Sequence, residues 1–198
     1  MITPTVWLIS GANRGIGLGI VKVLAAKPDT LVFAGARNPP AATDLHELAA
    51  QYPGKIKRVA GRLDVVVANA GICSSVSRVL DEPPDALREH MEVNVIGTLV
   101  LFQATYPLLV ASTKSPKFIP ISSIDGSLTI APPVPYKLFS CCASKAAENW
   151  LITRKMHFDH ESDGLGRVGY ASSCRGDGDG RCAARERWRQ YDGKRLEW

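Results

Sequence analysis

The sequence has 198 residues, of which 45% are hydrophobic and 22% charged, values typical of a globular domain with a hydrophobic core. The net charge of +5 comes without a dense run of Lys or Arg, which disfavours a nucleic-acid-binding protein. The 5 cysteines are an odd number and form no Cys-x-x-Cys pair, so neither a disulfide framework nor a zinc site is expected.

Two further features predict a cytoplasmic protein. The first residues lack the basic segment of a signal peptide and lead directly into a predicted strand. The longest apolar run, residues 95–111, is interrupted by Gly97, Gln103 and Pro107, which favours a buried helix over a membrane-spanning one. We therefore expect reduced thiols, a cytoplasmic location and no membrane contact.

A glycine-rich turn follows the first predicted strand, residues 6–9. After this turn Leu18, Val21 and Leu24 repeat at helical spacing. A strand, a glycine turn and a helix together present backbone N–H groups to a phosphate, and glycine lets a pyrophosphate approach the backbone. An ordinary glycine-rich loop is the alternative. The residues predicted to bind a dinucleotide here are Gly11, Asn13, Arg14, Gly15, Ile16 and Gly17.

A second buried strand is predicted over residues 30–36 and is followed at once by Arg37. An acidic residue at this position would accept a hydrogen bond from a ribose 2′-hydroxyl, whereas an Arg suits a 2′-phosphate. Arg14 and Arg37 together therefore favour NADP over NAD, although each alone could be a solvated surface residue.

The third strand presents a difficulty. Residues 41–52 predict a helix and residues 55–60 could form a strand, but only two residues separate them from a strong strand at 63–68. A parallel crossover needs about a dozen residues, usually a helix. Residues 55–60 therefore cannot form a regular third strand that leads directly into the fourth.

Polar residues of chemical interest recur later in the chain. The fourth strand ends in a small-residue turn, the position at which open α/β sheets bind ligands. A helical stretch begins at residues 83–85, residues 118–123 predict a fifth strand, and residues 143–160 predict a helix. The candidates are Asn69, Ala70 and Gly71 in the turn, Asn94 in the helical stretch, Ser123 at the end of the fifth strand, Tyr136 thirteen residues later, and Lys145. A strand-end hydroxyl bonded to backbone and a half-buried aromatic are the structural alternatives for Ser123 and Tyr136.

These motifs together resemble the classical short-chain dehydrogenases/reductases, and within them the fungal carbonyl reductases similar to norsolorinic acid ketoreductases of polyketide pathways. The resemblance covers residues 5–160. It implies a doubly wound parallel α/β sheet, the Rossmann fold, in a dinucleotide-binding domain at residues 1–160. It also implies hydride transfer between the nicotinamide of NADPH and a small-molecule carbonyl or alcohol, and a homo-oligomer paired through the apolar helix.

The resemblance implies a role for each catalytic candidate. Tyr136 gives or takes the proton, and Lys145 stabilises its phenolate and holds the nicotinamide ribose, so both also contact the cofactor. Ser123 polarises the substrate oxygen, and Asn94 supports a water that relays protons. A Tyr is a poor base near neutral pH unless a nearby cation lowers its pKa.

The spacing of the Tyr and the Lys departs from the family pattern. The family has Tyr-x-x-x-Lys, which places both side chains on one helix face. Here Lys145 comes nine positions after Tyr136, which on a continuous helix would put the two side chains on opposite faces and about 13 Å apart along the axis. Residues 143–147 read like the family segment after its Tyr, so the simplest explanation is an insertion of Lys-Leu-Phe-Ser-Cys or a close equivalent. Tyr136 then meets Lys145 only if residues 137–142 bulge out as a loop.

Two other parts of the family pattern are missing. No acidic residue follows residue 60 in the place of the adenine-binding Asp, and residues 161–198 show neither a sixth strand nor a substrate lid. We therefore expect a sheet that is incomplete at its third strand and C-terminal end, followed by a poorly packed tail at 161–198. The alternatives to an active reductase are a catalytically impaired dinucleotide-binding protein and a truncated or mis-spliced product without activity.

Overall fold

The computed structural model describes residues 3–57, 61–112, 115–128 and 137–151, and residues 156, 159–160, 171–172, 175–176 and 182–183. The predicted catalytic residue Tyr136 lies outside the described residues, as does most of the predicted tail.

Strands and helices alternate along the chain, as the sequence predicts. The elements are β1 (Thr5–Ile9), α1 (Gly15–Ala25), β2 (Thr30–Ala34), α2 (Thr43–Gln51), β3 (Ile56–Lys57), β4 (Val65–Ala68), α3 (Pro84–His90), α4 (Gly97–Val110), β5 (Lys117–Ser122), α5 (Phe139–Trp150), β6 (Ala171–Ser172), β7 (Arg175–Gly176) and β8 (Cys182–Ala183). In the described residues the sheet has the order β3-β2-β1-β4-β5-β6 with parallel neighbours, and β7 and β8 form a separate antiparallel pair. This order confirms the doubly wound α/β fold.

The central strands are buried on both faces because helices cover both. Ile9 and Val67 pack with Val21 of α1 on one face, and Val66 packs with Phe102 of α4 on the other. Residues 65–68 are all buried, which explains why this strand is an unbroken apolar run rather than an alternating one.

The third strand has only two residues. Ile56 and Lys57 lie in parallel register with Val32 and Phe33 of β2, and no helix is present in the described part of the connection to β4, residues 61–64. In the described residues the third strand covers residues 56–57, in agreement with a sheet that is incomplete at its third strand.

The carboxylate of Asp64 ties this irregular connection to the sheet. It accepts hydrogen bonds from the backbone N–H of Val6 at 2.8 Å, the Ser112 hydroxyl at 2.5 Å and the Arg62 guanidinium at 3.4 Å. Burial would raise the pKa of Asp64, but the hydrogen bonds from Ser112, Val6 and Arg62 outweigh burial, so the pKa is lowered. A buried carboxylate therefore anchors the segment before β4 to β1 and to the residue that follows α4.

A sixth strand is present, contrary to the expectation that none can be recognised after residue 160. Ala171 and Ser172 pair in parallel with Ile121 and Ser122 of β5. A strand of two residues is too short to show an alternating pattern, which is why the sequence did not reveal it. The division of the chain at residue 160 remains a prediction.

One helical run in the described residues, Pro84–Val110, has the length and hydropathy needed to cross a membrane, with a mean hydropathy of 1.6 over its best window. Core helices share these properties. Here Phe102 and Leu109 belong to the hydrophobic core, and the buried hydroxyl of Thr98 donates to Glu148 of α5 at 3.1 Å. The run therefore packs on the domain through part of its surface, and 28% of its most apolar window is buried.

The Asp64→Asn substitution should destabilise the protein in a pH-dependent way. Because its folded-state pKa is lowered, Asp64 stabilises the fold fully above its ordinary pKa of about 4, and this contribution is lost as pH falls through the folded-state value. An amide cannot accept the same hydrogen bonds, so we expect a loss of about 1–3 kcal/mol at neutral pH and a shallower loss of stability in acid. Urea unfolding at several pH values measures both effects.

Asp81→Asn is the matched control. Asp81 is exposed and pairs with Arg78 on the surface, so its loss should cost less than about 1 kcal/mol. If the free energy of unfolding of Asp64→Asn fell with decreasing pH as steeply as that of the unmodified protein, the stabilising role proposed for Asp64 would be contradicted.

Candidate active site

The candidate residues collect at one edge of the sheet. Ser10 follows β1, Arg37 lies three residues after β2, Asn69 follows β4, and Ser123 follows β5. All these strands are parallel, so their carboxyl ends share one edge, which is where open α/β sheets bind ligands.

The glycine turn after β1 has a shape that larger residues cannot adopt. Gly11 has a φ of +64°, and a Cβ added to Gly17 would lie 2.3 Å from the Gly11 carbonyl oxygen and 2.5 Å from the Asn69 amide nitrogen. At Gly15, in contrast, a Cβ would meet nothing within 4 Å. The turn is thus closely packed on its inner side, and the first turn of α1 faces open space.

The turn after β4 holds the glycine turn in place. The Ser10 hydroxyl accepts hydrogen bonds from the backbone N–H groups of Asn69 and Ala70, both at 3.0 Å. In return the Asn69 side-chain amide donates to the carbonyl oxygens of Ser10 at 3.0 Å and Gly11 at 3.2 Å. Asn69 therefore shapes the predicted phosphate-binding turn from the neighbouring strand.

Positive charge accompanies the start of α1. Arg14 is the residue immediately before the helix, its side chain is exposed, and the first helical turn contains no acidic residue. Arg37 is also exposed, and the segment that leads to it is tied to the glycine turn because the Ala12 N–H donates to the Gly35 carbonyl at 2.8 Å. The positive end of the helix dipole and two guanidinium groups therefore lie along the β1–β2 side of the edge.

The remaining residues predicted to bind the dinucleotide lie in the same two turns. Asn13 and Ile16 are half-buried in the glycine turn and at the start of α1, and Gly71 is exposed in the turn after β4.

The side chain of Asn94 is fully buried and bridges two segments. It lies in a single wide helical turn, Met91–Ile96, between α3 and α4. Its amide oxygen accepts from the Ile72 N–H at 2.8 Å, and its amide nitrogen donates to the Ile72 carbonyl at 3.0 Å and to the Ser144 hydroxyl at 2.8 Å. Asn94 thus joins the loop after β4 to α5, next to Lys145.

Ser123 lies at the start of a short turn that packs on α5. Its hydroxyl accepts from the Asp125 N–H and donates to the Asp125 carboxylate, both at 3.2 Å. A Cβ at Gly126 would lie only 2.7 Å from the Lys145 carbonyl carbon, so the turn touches the helix closely. The structure therefore brings the Ser123 segment and Lys145 together.

Lys145 is engaged inside the protein. Its ammonium group donates to the Ile121 carbonyl and to the Glu148 carboxylate, both at 2.6 Å, and the Glu148 side chain is only 1% exposed. Burial raises the pKa of Glu148, while the charge and hydrogen bond of Lys145 and the Thr98 hydroxyl act in the opposite direction. Glu148 was not among the sequence-predicted site residues; its position three residues after Lys145, on one helix face, was the available signal.

Helix α5 begins earlier than predicted, at Phe139 rather than residue 143. Residues 139–142 are helical, with the Cys142 N–H bonded to the Leu138 carbonyl at 2.9 Å, so the loop required by the Tyr136 hypothesis does not form there. The buried hydroxyl of Ser140 donates to Glu82, which fixes this first turn. Four residues before Lys145, where the family pattern has its Tyr, the helix carries Cys141. Counting four residues back from Lys145 in the sequence would have shown that Cys141 stands in the place of the family's Tyr.

Comparisons with known proteins identify the family. The family model for short chain dehydrogenases matches residues 5–171. An oxidoreductase of Schizosaccharomyces pombe is 32% identical over 182 residues, covering 82% of this chain and 70% of its own. Norsolorinic acid ketoreductase of Emericella nidulans is 34% identical over 186 residues, covering 79% and 68%. The chain belongs to the short-chain dehydrogenase family.

Solved structures agree with this assignment. The NADPH-bound carbonyl reductase from chicken fatty liver superposes with a TM-score of 0.73 at 27% identity, over 85% of this chain and 74% of that one. A short-chain type dehydrogenase/reductase from Mycobacterium marinum gives a TM-score of 0.72 at 26% identity, over 86% of this chain and 74% of that one.

A second S. pombe oxidoreductase is 35% identical over 145 residues, and this chain covers only 57% of its length. The family resemblance and the Rossmann fold are confirmed.

Gly17→Ala and Gly19→Ala test the packing of the glycine turn. The first places a Cβ 2.3 Å from the Gly11 carbonyl oxygen, whereas at Gly19 a Cβ would meet nothing within 4 Å. We expect Gly17→Ala to lower the free energy of unfolding by about 1–3 kcal/mol. Gly19→Ala should be neutral or stabilise the exposed helix position by up to about 1 kcal/mol.

Urea unfolding of both variants measures the difference, and each is the other's control, since both exchange Gly for Ala in α1. Equal stability of the two variants would contradict the close packing of Gly17.

Proposed function

We propose that this chain binds NADP(H) at the carboxyl edge of its sheet and transfers hydride between the nicotinamide and a small carbonyl or alcohol substrate. The observation that carries the proposal is the pair of interlocked turns after β1 and β4. The start of α1 is open at Gly15, Arg14 comes immediately before this helix, and Arg37 is exposed three residues after β2. Glycine backbone, a helix N-terminus and two exposed guanidinium groups form a donor set suited to phosphates.

The residues present fit the pyrophosphate and 2′-phosphate parts of the cofactor. The backbone of Gly11, Gly15 and Ile16 would hold the pyrophosphate, and Arg14 and Arg37 would pair with a 2′-phosphate. Asn13, Gly17, Asn69, Ala70 and Gly71 would form the walls and support of this pocket. A Cβ at Gly17 would strike the turn itself, which agrees with a cradle whose shape depends on glycine.

The chemistry proposed for the other half of the site depends on side chains that follow β5 and lie on α5. The bound nicotinamide supplies or accepts a hydride. The Ser123 hydroxyl would donate a hydrogen bond to the substrate oxygen, and Lys145 would supply positive charge beside the proton donor, for which Tyr136 is the candidate. Asn94 supports this half by joining the loop after β4 to α5.

A second candidate function, a dinucleotide-binding protein with little or no turnover, is favoured by helix α5. Cys141 occupies the position one turn before Lys145, and the Lys145 ammonium is paired with the buried Glu148 carboxylate. Both features weaken the coupling between a Tyr and a Lys on which proton transfer in this family depends.

The substrate class, oligomer and location are proposed from the relatives. Norsolorinic acid ketoreductases among them suggest an aromatic or polyketide-like ketone. Ile96 and Val100 are exposed on the apolar helical run and would pack against a second copy, in a cytoplasmic homo-oligomer.

NADPH titration followed by nicotinamide fluorescence tests the binding half of the proposal. We expect saturable binding that prefers NADPH over NADH. Arg37→Ala should weaken NADPH binding by about 10-fold or more, since a charge-assisted hydrogen bond contributes about 1.5–3 kcal/mol, and should leave NADH binding unchanged.

Arg88→Ala is the matched control, because Arg88 is an exposed arginine on α3 that pairs with Asp85 and lies outside both turns. The proposal fails if neither cofactor binds at about millimolar concentration, or if both arginine variants weaken NADPH binding equally.

Two substitutions on either side of the start of α5 separate the active reductase from the impaired one. If Tyr136 is the proton donor, Tyr136→Phe should lower kcat/KM for an aromatic ketone by about 100-fold or more. If the displaced Tyr has inactivated the site, the unmodified protein should bind NADPH without turnover. Cys141→Tyr, which restores the Tyr-x-x-x-Lys spacing, should then raise kcat.

NADPH oxidation at 340 nm measures both variants against the same ketone panel, with Cys142→Ser as a control for a cysteine change on the same helical turn. An unchanged rate in Tyr136→Phe would remove Tyr136 from the mechanism.

A further inference from the structure

The ammonium group of Lys145 lies between the end of β5 and the turn after β4. Its hydrogen bond to the Ile121 carbonyl at 2.6 Å places it at the carboxyl end of β5, and a Cβ built on Gly71 would lie 3.8 Å from its nitrogen. Gly71 belongs to the exposed turn after β4. A positive charge therefore stands at the edge where open α/β sheets bind ligands, across β4 from the glycine turn.

A carboxylate inside the protein neutralises this charge. Glu148 accepts from the Lys145 ammonium at 2.6 Å, and only 12% of the Lys145 side chain and 1% of the Glu148 side chain are exposed. An ammonium has three N–H groups, and two of them already have acceptors, the Ile121 carbonyl and the Glu148 carboxylate. Because water and salt screen a buried pair only weakly, a ligand at the edge meets a nearly neutral group.

The carboxylate in turn depends on Lys145 for its counter-charge. Its second oxygen lies 3.1 Å from the Thr98 hydroxyl, but that hydroxyl is also 2.8 Å from the Asn94 carbonyl and has one proton to share between the two acceptors. Lys145 is thus the charged partner of Glu148. Movement of the ammonium toward a ligand would leave a buried carboxylate without its counter-charge, which is strongly unfavourable.

Position along the sheet edge decides which part of a dinucleotide this pair affects. With the 2′-phosphate at Arg37 after β2 and the pyrophosphate at the glycine turn after β1, the other half of the ligand would extend past β4 toward β5. The strand that Lys145 contacts, β5, lies two strand spacings from β1, about 10 Å. A ligand that ends at the glycine turn would therefore not reach Lys145, whereas the nicotinamide half would.

We propose that Glu148 is a positioning residue that holds the Lys145 ammonium inside the protein and thereby lowers the affinity of the site for the nicotinamide half of the cofactor. The inference rests on the proposed dinucleotide site and adds a residue that sets how tightly one half of the ligand is bound. Without the Glu148 charge, the ammonium can donate to oxygen atoms of a ligand that enters between the turn after β4 and the end of β5.

Titrations of Glu148→Gln with two ligands test this proposal by isothermal calorimetry. The Gln side chain keeps the shape of Glu, its amide oxygen can accept from Lys145, and its amide N–H groups can donate to Thr98, so only the charge is lost. We expect NADPH to bind about 10-fold more tightly than to the unmodified protein, the effect of about one charge-assisted hydrogen bond. Binding of adenosine 2′,5′-bisphosphate, which lacks the nicotinamide half, should be unchanged.

Two further variants control for other causes of tighter binding. Glu47→Gln makes the same chemical change at an exposed position on α2, and so measures the effect of removing one negative charge from the protein. In a Lys145→Met background, Glu148→Gln should no longer change the affinity for NADPH, because the ammonium that it releases is absent. If Glu148→Gln does not fold, Glu148→Met, which needs no hydrogen-bond partner at this buried position, takes its place.

Three results would overturn the proposal. They are equal or weaker NADPH binding by Glu148→Gln, the same gain for both ligands or in Glu47→Gln, and a gain that persists in the Lys145→Met background. A residue that only stabilised the fold would, when replaced, weaken the binding of both ligands, so the direction of the change separates the two roles.

The bisphosphate separates this proposal from the dinucleotide site on which it rests. If the bisphosphate does not bind the unmodified protein, the dinucleotide site fails, and the role of Glu148 fails with it. If the bisphosphate binds and Glu148→Gln leaves the affinity for NADPH unchanged, only the role of Glu148 is wrong.

Discussion

The buried amide of Asn94 is the constraint on which the second half of the candidate site depends. It uses both its oxygen and its nitrogen, and its partners belong to the loop after β4 and to α5. A buried amide group without a hydrogen-bond partner would destabilise the fold by about 1–3 kcal/mol, so Asn94 holds its partner segments in one arrangement. The loop after β4, which begins with the turn that supports the glycine cradle, and the helix that carries Lys145 are thereby fixed relative to one another.

The sequence predicted the elements that are determined by residues close together in the chain. The apolar runs at β1, β2 and β4 are short and lie next to turn residues, which favours strands, and the glycine turn has positions at which a Cβ would strike backbone. Both features leave a clear signal in the sequence. The shortened third strand was also foreseeable, because chain length alone excludes a crossover of two residues. These predictions rest on sterics and connectivity, and need no knowledge of distant contacts.

The features that escaped prediction depend on contacts between distant segments. The first turn of α5 is held by Ser140, which donates to Glu82 of the loop after β4. β6 exists because β5 offers it an edge, and the pairing of Lys145 with Glu148 depends on burial beneath Thr98 of α4. Because α5 begins at Phe139, residues 139–142 are helical and do not form the loop that the Tyr136 hypothesis requires.

The buried pair of Lys145 and Glu148 also shapes the electric field at the sheet edge. Its charges cancel within the protein, and Asp125 adds negative charge beside α5, whereas Arg14 and Arg37 are exposed at the β1–β2 end. A polyanionic ligand is therefore attracted to the β1–β2 end of the sheet edge, and this attraction orients the ligand before it makes contact. An uncharged ketone is not oriented by these charges. Ionic strength should thus slow the arrival of a phosphorylated ligand while leaving that of an uncharged one unchanged.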